Sequence, residues 1–318
     1  MPTPQTRFED IQREISRKRE VLDWIHQARM AVRAPYTRPS PMFAAAAAPA
    51  GHRTFKLLAQ GDSWFDYPPG TDMIDCLHAN HGHTIVNIAV AGSTLNDEAY
   101  GPVPRELFGL PIGLPQSDDP SRIAELVDRI TQDKPQALLI SAGGNDVAGD
   151  EFFSFLNNAL SGLPPVNAEV LEGAVSSTFE TAYRFMIDHA LAAAAEVKID
   201  MPVFIHGYDY PWPDGRGVIA FLGWKVGPWF DPTFNSKNFP NKDSADIDLR
   251  HQIISGFIDA VNSMQENLSQ IYAGKVFHVD LTRTLLTEDE WANELHPRNP
   301  GFAALAAKLD TSLQKNIP

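Results

Sequence analysis

The chain has 318 residues, with 26 Lys and Arg against 40 Asp and Glu; the formal net charge of −14 gives no support to broad neutralisation of nucleic-acid phosphates or of an anionic membrane face. Hydrophobic residues at 43% and charged residues at 21% supply a sizeable core and exclude a disordered chain, while the 21 Gly and 25 Pro lack the three-residue period of collagen. The single cysteine, Cys76, excludes an intrachain disulfide, no apolar run approaches the ~18 residues of a transmembrane helix, and the N-terminus opens on a charged helical pattern, so cytoplasmic residence is the expectation.

Residues 8–34 place Phe8, Ile11, Ile15, Leu22, Ile25 and Met30 at spacings of about 3.6 among charged neighbours, which predicts an amphipathic helix. Its stripe can cover its own domain or pair copies in a homo-oligomer. Residues 35–51 combine several prolines with the alanine run 44–48 and read as a connector, so residues 1–53 precede a main domain at 54–318. There, apolar runs at 55–59, 84–90, 137–141, 202–206 and 275–279 read as buried parallel strands. Helical patterns lie near 72–80, 121–132, 170–197, 245–272 and 300–314, the third with Leu171, Val175, Phe179, Tyr183, Met186, Ile187, Ala190 and Leu191 as one apolar stripe. Five strands with intervening helices predict an open α/β sheet covered on both faces. Insertions at about 97–120 and 207–243 follow strands at the edge where ligands sit in such sheets. The first carries Tyr100, Leu107, Phe108 and Leu110; the second carries Tyr208, Tyr210, Trp212, Phe221, Leu222, Trp224, Trp229, Phe230, Phe234 and Phe239. These aromatic insertions serve either as cleft walls or as structural cover.

Four short blocks end successive strands. Gly61-Asp62-Ser63-Trp64 follows the first, where a serine can expose its hydroxyl and backbone N–H at a tight turn. Gly92, in the block 87–93, follows the second and can aim a backbone N–H at the same point. Gly143-Gly144-Asn145-Asp146 follows the third and adds a carboxamide donor; Leu295-His296-Pro297 comes after the last strand. Each block alone is weak, but their convergence on one sheet edge brings together a nucleophile, a base and oxyanion donors.

In these blocks the sequence resembles the SGNH hydrolases, the GDSL-type esterase and lipase superfamily, across about residues 54–315. The resemblance implies a flavodoxin-like three-layer α/β/α sandwich around a central five-stranded parallel sheet. It also implies Ser63 as nucleophile, His296 as base, and an oxyanion hole from Ser63, Gly92 and Asn145. Trp64 replaces the more usual leucine after the serine. A second departure lies three residues before the histidine, where the family has Asp and this chain has Asn293. Three readings stand: Asn293 orients His296, a different carboxylate (Asp280, Asp289 or Glu294) substitutes, or a Ser-His dyad works with a backbone carbonyl.

Among the remaining side chains, Asp62 and Asp146 read as loop anchors; Asp66, Tyr67, Tyr208 and Asp209 read as cleft residues or loop scaffold. Cys76 reads as a core residue. His78, His81 and His83 lack a nearby carboxylate or thiolate pair and read as a solvated helix end and turn. No metal is therefore expected, and no nucleotide cofactor either, since neither GxGxxG nor GxxxxGK[ST] occurs; the GxSxG elbow is missing too. The expected function is hydrolysis of carboxylic esters with an apolar acyl or alcohol part, on a small-molecule or lipid substrate. The alternatives are a carbohydrate O-acetylesterase and a catalytically silent binding or assembly domain on the same scaffold.

Overall fold

The computed structural model describes residues 3–33, 51–67, 70–104, 106–107, 110–111, 119–219 and 225–318. The expected connector, apart from Gly51, lies outside these residues, as do Phe108, Phe221, Leu222, Trp224 and the side chains of Met30, Leu107 and Leu110. Five strands, β1 (Lys56–Gly61), β2 (Thr84–Asn87), β3 (Ala137–Ser141), β4 (Val203–His206) and β5 (Val276–Val279), form one sheet. All pairings are parallel, in the order β2-β1-β3-β4-β5. Every residue of β3 and β4 is buried, as expected of strands covered on both faces. From β1 the chain passes to β2 on one side and later to β3 on the other, so the crevice at the carboxyl ends of β1 and β3 is a topological switch point.

Among the described residues, the helices around the sheet include α1 (Pro4–Arg33), α2 (Met73–His81), α3 (Leu95–Tyr100), α4 (Arg122–Asp133), α5 (Glu180–Glu196), α6 (Ser244–Ile271) and α7 (Asn299–Asn316). On one face α2 packs against α7; on the other, α5 packs against α3, α4 and α6. This is the three-layer α/β/α sandwich with a five-stranded parallel sheet. The α1 helix lies over α4, with Ile11, Ile15, Leu22 and Ile25 buried, so its apolar stripe faces its own domain. Arg29 pairs with Glu125 at 2.6 Å, and Arg19 pairs with Asp128. Among the described residues, no helix is long and apolar enough to cross a membrane.

Three elements differ from expectation. Strand pairing of β2 stops at Asn87, yet Ile88 and Val90 still donate to the Ala59 and Gly61 carbonyls at 2.8 Å, carrying the chain alongside β1 as far as Gly92. The predicted helix over 170–197 is divided into Ala168–Gly173, a π-helical turn at Ala174–Phe179, and α5. Its apolar residues 171, 175, 179 and 183 recur every fourth position, a spacing that drifts round a 3.6-residue helix; the wider π turn keeps them on one face. The first insertion begins inside α3, which the Thr94 capping box with Asp97 starts.

Candidate active site

Gly61 ends β1, where a Cβ would lie 2.7 Å from the Ser141 carbonyl oxygen; only glycine allows β1 and β3 to approach this closely. Asp62 then turns its carboxylate into the fold, accepting from Trp64 N and Ser141 Oγ at 3.0 Å and from Tyr208 Oη at 2.5 Å. Burial pushes this carboxyl up to about 6. These bonds fix the turn that presents Ser63, which is half-buried at the carboxyl end of β1.

His296 Nε2 lies 2.8 Å from Ser63 Oγ, and His296 Nδ1 lies 3.0 Å from Asn293 Oδ1. The surrounding bonds set the tautomer. Asn293 Oδ1 also accepts from the Leu295 and His296 backbone N–H groups at 2.9 and 3.0 Å, an Asx turn that fixes the amide orientation. With an acceptor facing it, Nδ1 carries the proton, so Nε2 presents a lone pair to the Ser63 hydroxyl. Asn293 Nδ2 donates to Tyr67 Oη at 3.0 Å, and the Tyr67 ring stacks on the imidazole with centroids 4.3 Å apart. Trp229 meets the imidazole edge-on at 5.7 Å. Enclosed in this way, His296 is 4% exposed, and loss of solvent lowers its pKa to about 3.

The oxyanion candidates gather at the same edge. Gly92 has φ +81°, in the left-handed region, and a Cβ there would meet nothing within 4 Å. Among the described residues, neither the Gly92 nor the Ser63 backbone N–H has an acceptor. Asn145 Nδ2 gives one N–H to the Ser93 carbonyl at 2.8 Å, leaving its second N–H for a ligand. The blocks are cross-linked: Asp66 accepts from Ala91 N at 3.1 Å, and Asp146 from Leu95 N at 2.8 Å. Burial pushes the Asp146 carboxyl up to about 7. Trp64 explains its own departure from leucine, because its Nε1 donates to the Leu295 carbonyl at 3.0 Å and ties the serine block to the histidine block.

Among the candidate partners of the imidazole, the structure brings Asn293 to Nδ1 and leaves the three carboxylates elsewhere. Asp280 accepts from Thr282 N and Oγ1 at 2.9 and 2.7 Å, capping the turn after β5. Asp289 is exposed and offers its backbone carbonyl to Arg298. Glu294 is buried and turned away, accepting from the backbone N–H groups of Gly215, Trp229, Phe230 and Asp231. Burial raises its carboxyl to about 7, against the pull of those donors.

Tyr67 reaches the imidazole directly, whereas Asp209 serves as scaffold, its carboxylate accepting from the backbone of Arg283, Thr284 and Leu285. The second insertion divides between wall and cover: Trp229 flanks His296, while Phe230 and Phe234 pack on Phe152 as a buried cluster. A narrow cavity of about 30 Å³ adjoins Ser63 and Asn145, bounded by Val147, Phe230, Ile258 and Trp291. Trp291 belongs to none of the four blocks, and its fully buried apolar position was the only signal it could have given. The reading of His83 as solvated is overturned: it is 0% exposed and bonded to Asp310, a carboxylate 227 positions away.

No protein-family model matches the sequence, and no curated protein matches it. Among solved structures, the chain is similar to a carbohydrate esterase family 3 from Talaromyces cellulolyticus at 13% identity and TM-score 0.43, covering 82% of this chain and 97% of that one. It is similar to an aryl esterase from M. smegmatis in an inhibitor-bound form at 11% identity and TM-score 0.44, covering 82% and 99%. A lipase from a goat rumen metagenome stands at 15% identity and TM-score 0.42, covering 81% and 96%.

Proposed function

We propose that the protein is an SGNH-type serine ester hydrolase working through an acyl-enzyme. The observation that carries this reading is the relay from the Ser63 hydroxyl to His296 Nε2 at 2.8 Å, with the opposite ring nitrogen held by Asn293 at 3.0 Å. Ser63 Oγ attacks the ester carbonyl while His296 Nε2 takes its proton; the imidazolium then protonates the leaving alcohol. A water deprotonated by His296 then attacks the acyl-enzyme, and the imidazolium returns that proton to Ser63 Oγ as the bond to the acyl group breaks and the acid leaves. The Ser63 and Gly92 backbone N–H groups and the second Asn145 N–H stabilise the tetrahedral oxyanion, where loss of a single donor typically costs about 3 kcal/mol.

The cavity beside Ser63, about 30 Å³, supports a short acyl group. That is about two to three times the ~10–15 Å³ a single water-sized group needs, enough for an acetyl methyl and too little for a fatty chain. This favours acetyl esters, acetylated carbohydrates among them, over long-chain lipids, with the larger part of the substrate on the alcohol side.

Intact mass after fluorophosphonate treatment tests the nucleophile, beside Ser63→Ala. One adduct per chain, lost in the variant, is expected. A folded parent chain that takes no label counts for the silent binding domain. Hydrolysis of soluble acetate, butyrate and octanoate esters should then fall steeply with acyl length, and a rising series would overturn the short-acyl reading.

A further inference from the structure

At the other edge of the sheet, where the chain enters β1 and β2, three imidazoles converge on a single carboxylate. Asp310, on α7, has a side chain only 8% exposed. The buried carboxylates Glu125 and Asp128 face the guanidinium groups of Arg29 and Arg19, while the buried Asp62, Asp209 and Glu294 are met by hydroxyl and backbone N–H donors. Among the described residues Asp310 faces no Lys or Arg; its polar neighbours are His52, His81, His83 and Gln314. A buried carboxylate needs a cation, a metal or a set of hydrogen-bond donors, and here three of the four donors are imidazoles, which also ligate metals.

We propose that His52, His81 and Asp310 bind one divalent transition-metal ion of the zinc class, with His83 and Gln314 orienting the carboxylate. His52 Nε2 and His81 Nδ1 lie 3.0 and 3.1 Å from Asp310 Oδ2, and the three donor atoms all lie within 4.8 Å of one another. Tetrahedral ligands about 2.0–2.1 Å from zinc stand ~3.3 Å apart, so small adjustments admit the ion, with water in the fourth position. Imidazole and carboxylate together are a donor set suited to zinc and its neighbours.

The surrounding hydrogen bonds separate ligands from supports. His83 Nδ1 accepts the Phe55 backbone N–H at 3.2 Å, so its Nε2 carries the proton and donates to Asp310 Oδ1 at 2.9 Å. His83 therefore holds the carboxylate from outside, as outer-shell groups of metal sites do. Gln314 is pinned by a two-way pairing with the Arg53 backbone, Oε1 accepting at 3.0 Å and Nε2 donating at 2.8 Å. Its remaining N–H faces Asp310 Oδ1 and His52 Nε2 at 3.1 and 3.2 Å, a direction compatible with a lone pair on the His52 nitrogen. His52 Nδ1 has no partner among the described residues, so no hydrogen bond opposes placing the ring proton there and freeing Nε2 for a metal. The comparable group Asp23, His26 and Asp128 is excluded, because Arg19 already lies against both carboxylates.

Bound there, the ion would clamp the segment entering β1 and the end of α2 onto α7, at the edge of the sheet opposite Ser63. The full-length chain, stripped with a chelator, is titrated with Zn(II) against a chromophoric competitor, and the Co(II)-loaded chain is examined for ligand-field absorption. One ion per chain and a higher unfolding midpoint are expected. His81→Gln, at a partly buried position, and His52→Gln should each weaken uptake by more than the ~10–100-fold that loss of an outer-shell partner costs, with fluorophosphonate labelling at Ser63 unchanged. Absence of saturable Zn(II) uptake by the parent chain, or uptake that either variant leaves unaltered, would overturn the site.

Discussion

The His296 imidazole is driven down to about 3 by burial alone, because nothing charged faces its ring to favour a bound proton. A free base with so low a pKa is unprotonated across the neutral and mildly acidic range, far below the ~6.5 of an ordinary imidazole. Its weakness is the reverse step, since the imidazolium formed as Ser63 attacks meets only the dipole of Asn293. Asn293→Asp puts a carboxylate 3.0 Å from Nδ1, while Tyr67 Oη changes from acceptor to donor. The charge raises the His296 pKa, so the acid limb of kcat/KM should move to higher pH, and kcat should rise by about 10–100-fold. That gain is smaller than the ~10⁴-fold that separates Asp from Asn in a Ser-His-Asp triad, because Asn293 already holds the productive tautomer here. A pH–rate profile on a soluble acetate ester reads both effects; a falling kcat with an unmoved acid limb would mean that Asn293 is not the group acting on the imidazole.

Between elements, the loops of the site are held by carboxylates that accept backbone N–H groups. Asp66, Asp146 and Asp209 each tie one strand-end loop to another in this way, Glu294 does the same for the long second insertion, and Asp62 does so through the Ser141 and Tyr208 hydroxyls. Glu294 Oε1 takes the N–H groups of Gly215 and Asp231; Oε2 takes those of Trp229 and Phe230. A glutamine can accept through only one of those positions, and its amide N–H₂ would confront two donors at the other. Each stranded buried N–H costs about 1–3 kcal/mol, so Glu294→Gln should lower stability by about 2–6 kcal/mol in urea unfolding. Because Trp229 flanks His296, kcat should fall as well, while Ser63 remains open to fluorophosphonate. Unchanged stability would show that the insertion is held by its buried aromatic cluster and not by the carboxylate.

Across the whole molecule, what could be read in advance was whatever leaves a local pattern. Buried parallel strands are near-continuous apolar runs, and the blocks containing Ser63, Gly92, Asn145 and His296 follow strand ends or the last strand in chain order, so sheet and site were both legible. Backbone donors have no residue signature, which is why Glu294 could be mistaken for a catalytic acid. Asp310 stands among the alternating residues of α7, and nothing local joins it to His52 or His83, more than 220 positions earlier. The apolar stripe of α1 was legible, but its destination was not, since a helix packs its own domain and a second copy with the same pattern. In the folded chain Leu22 is 0% exposed, and charged bridges to α4 flank it on both sides. Leu22→Ala should therefore cost about 2–5 kcal/mol, the range for a buried leucine truncated to alanine, and leave the sedimentation coefficient of the folded protein unchanged. A variant of parental stability that instead sediments as a smaller species would mean that the stripe is a subunit surface and that α1 is held on α4 by its ion pairs.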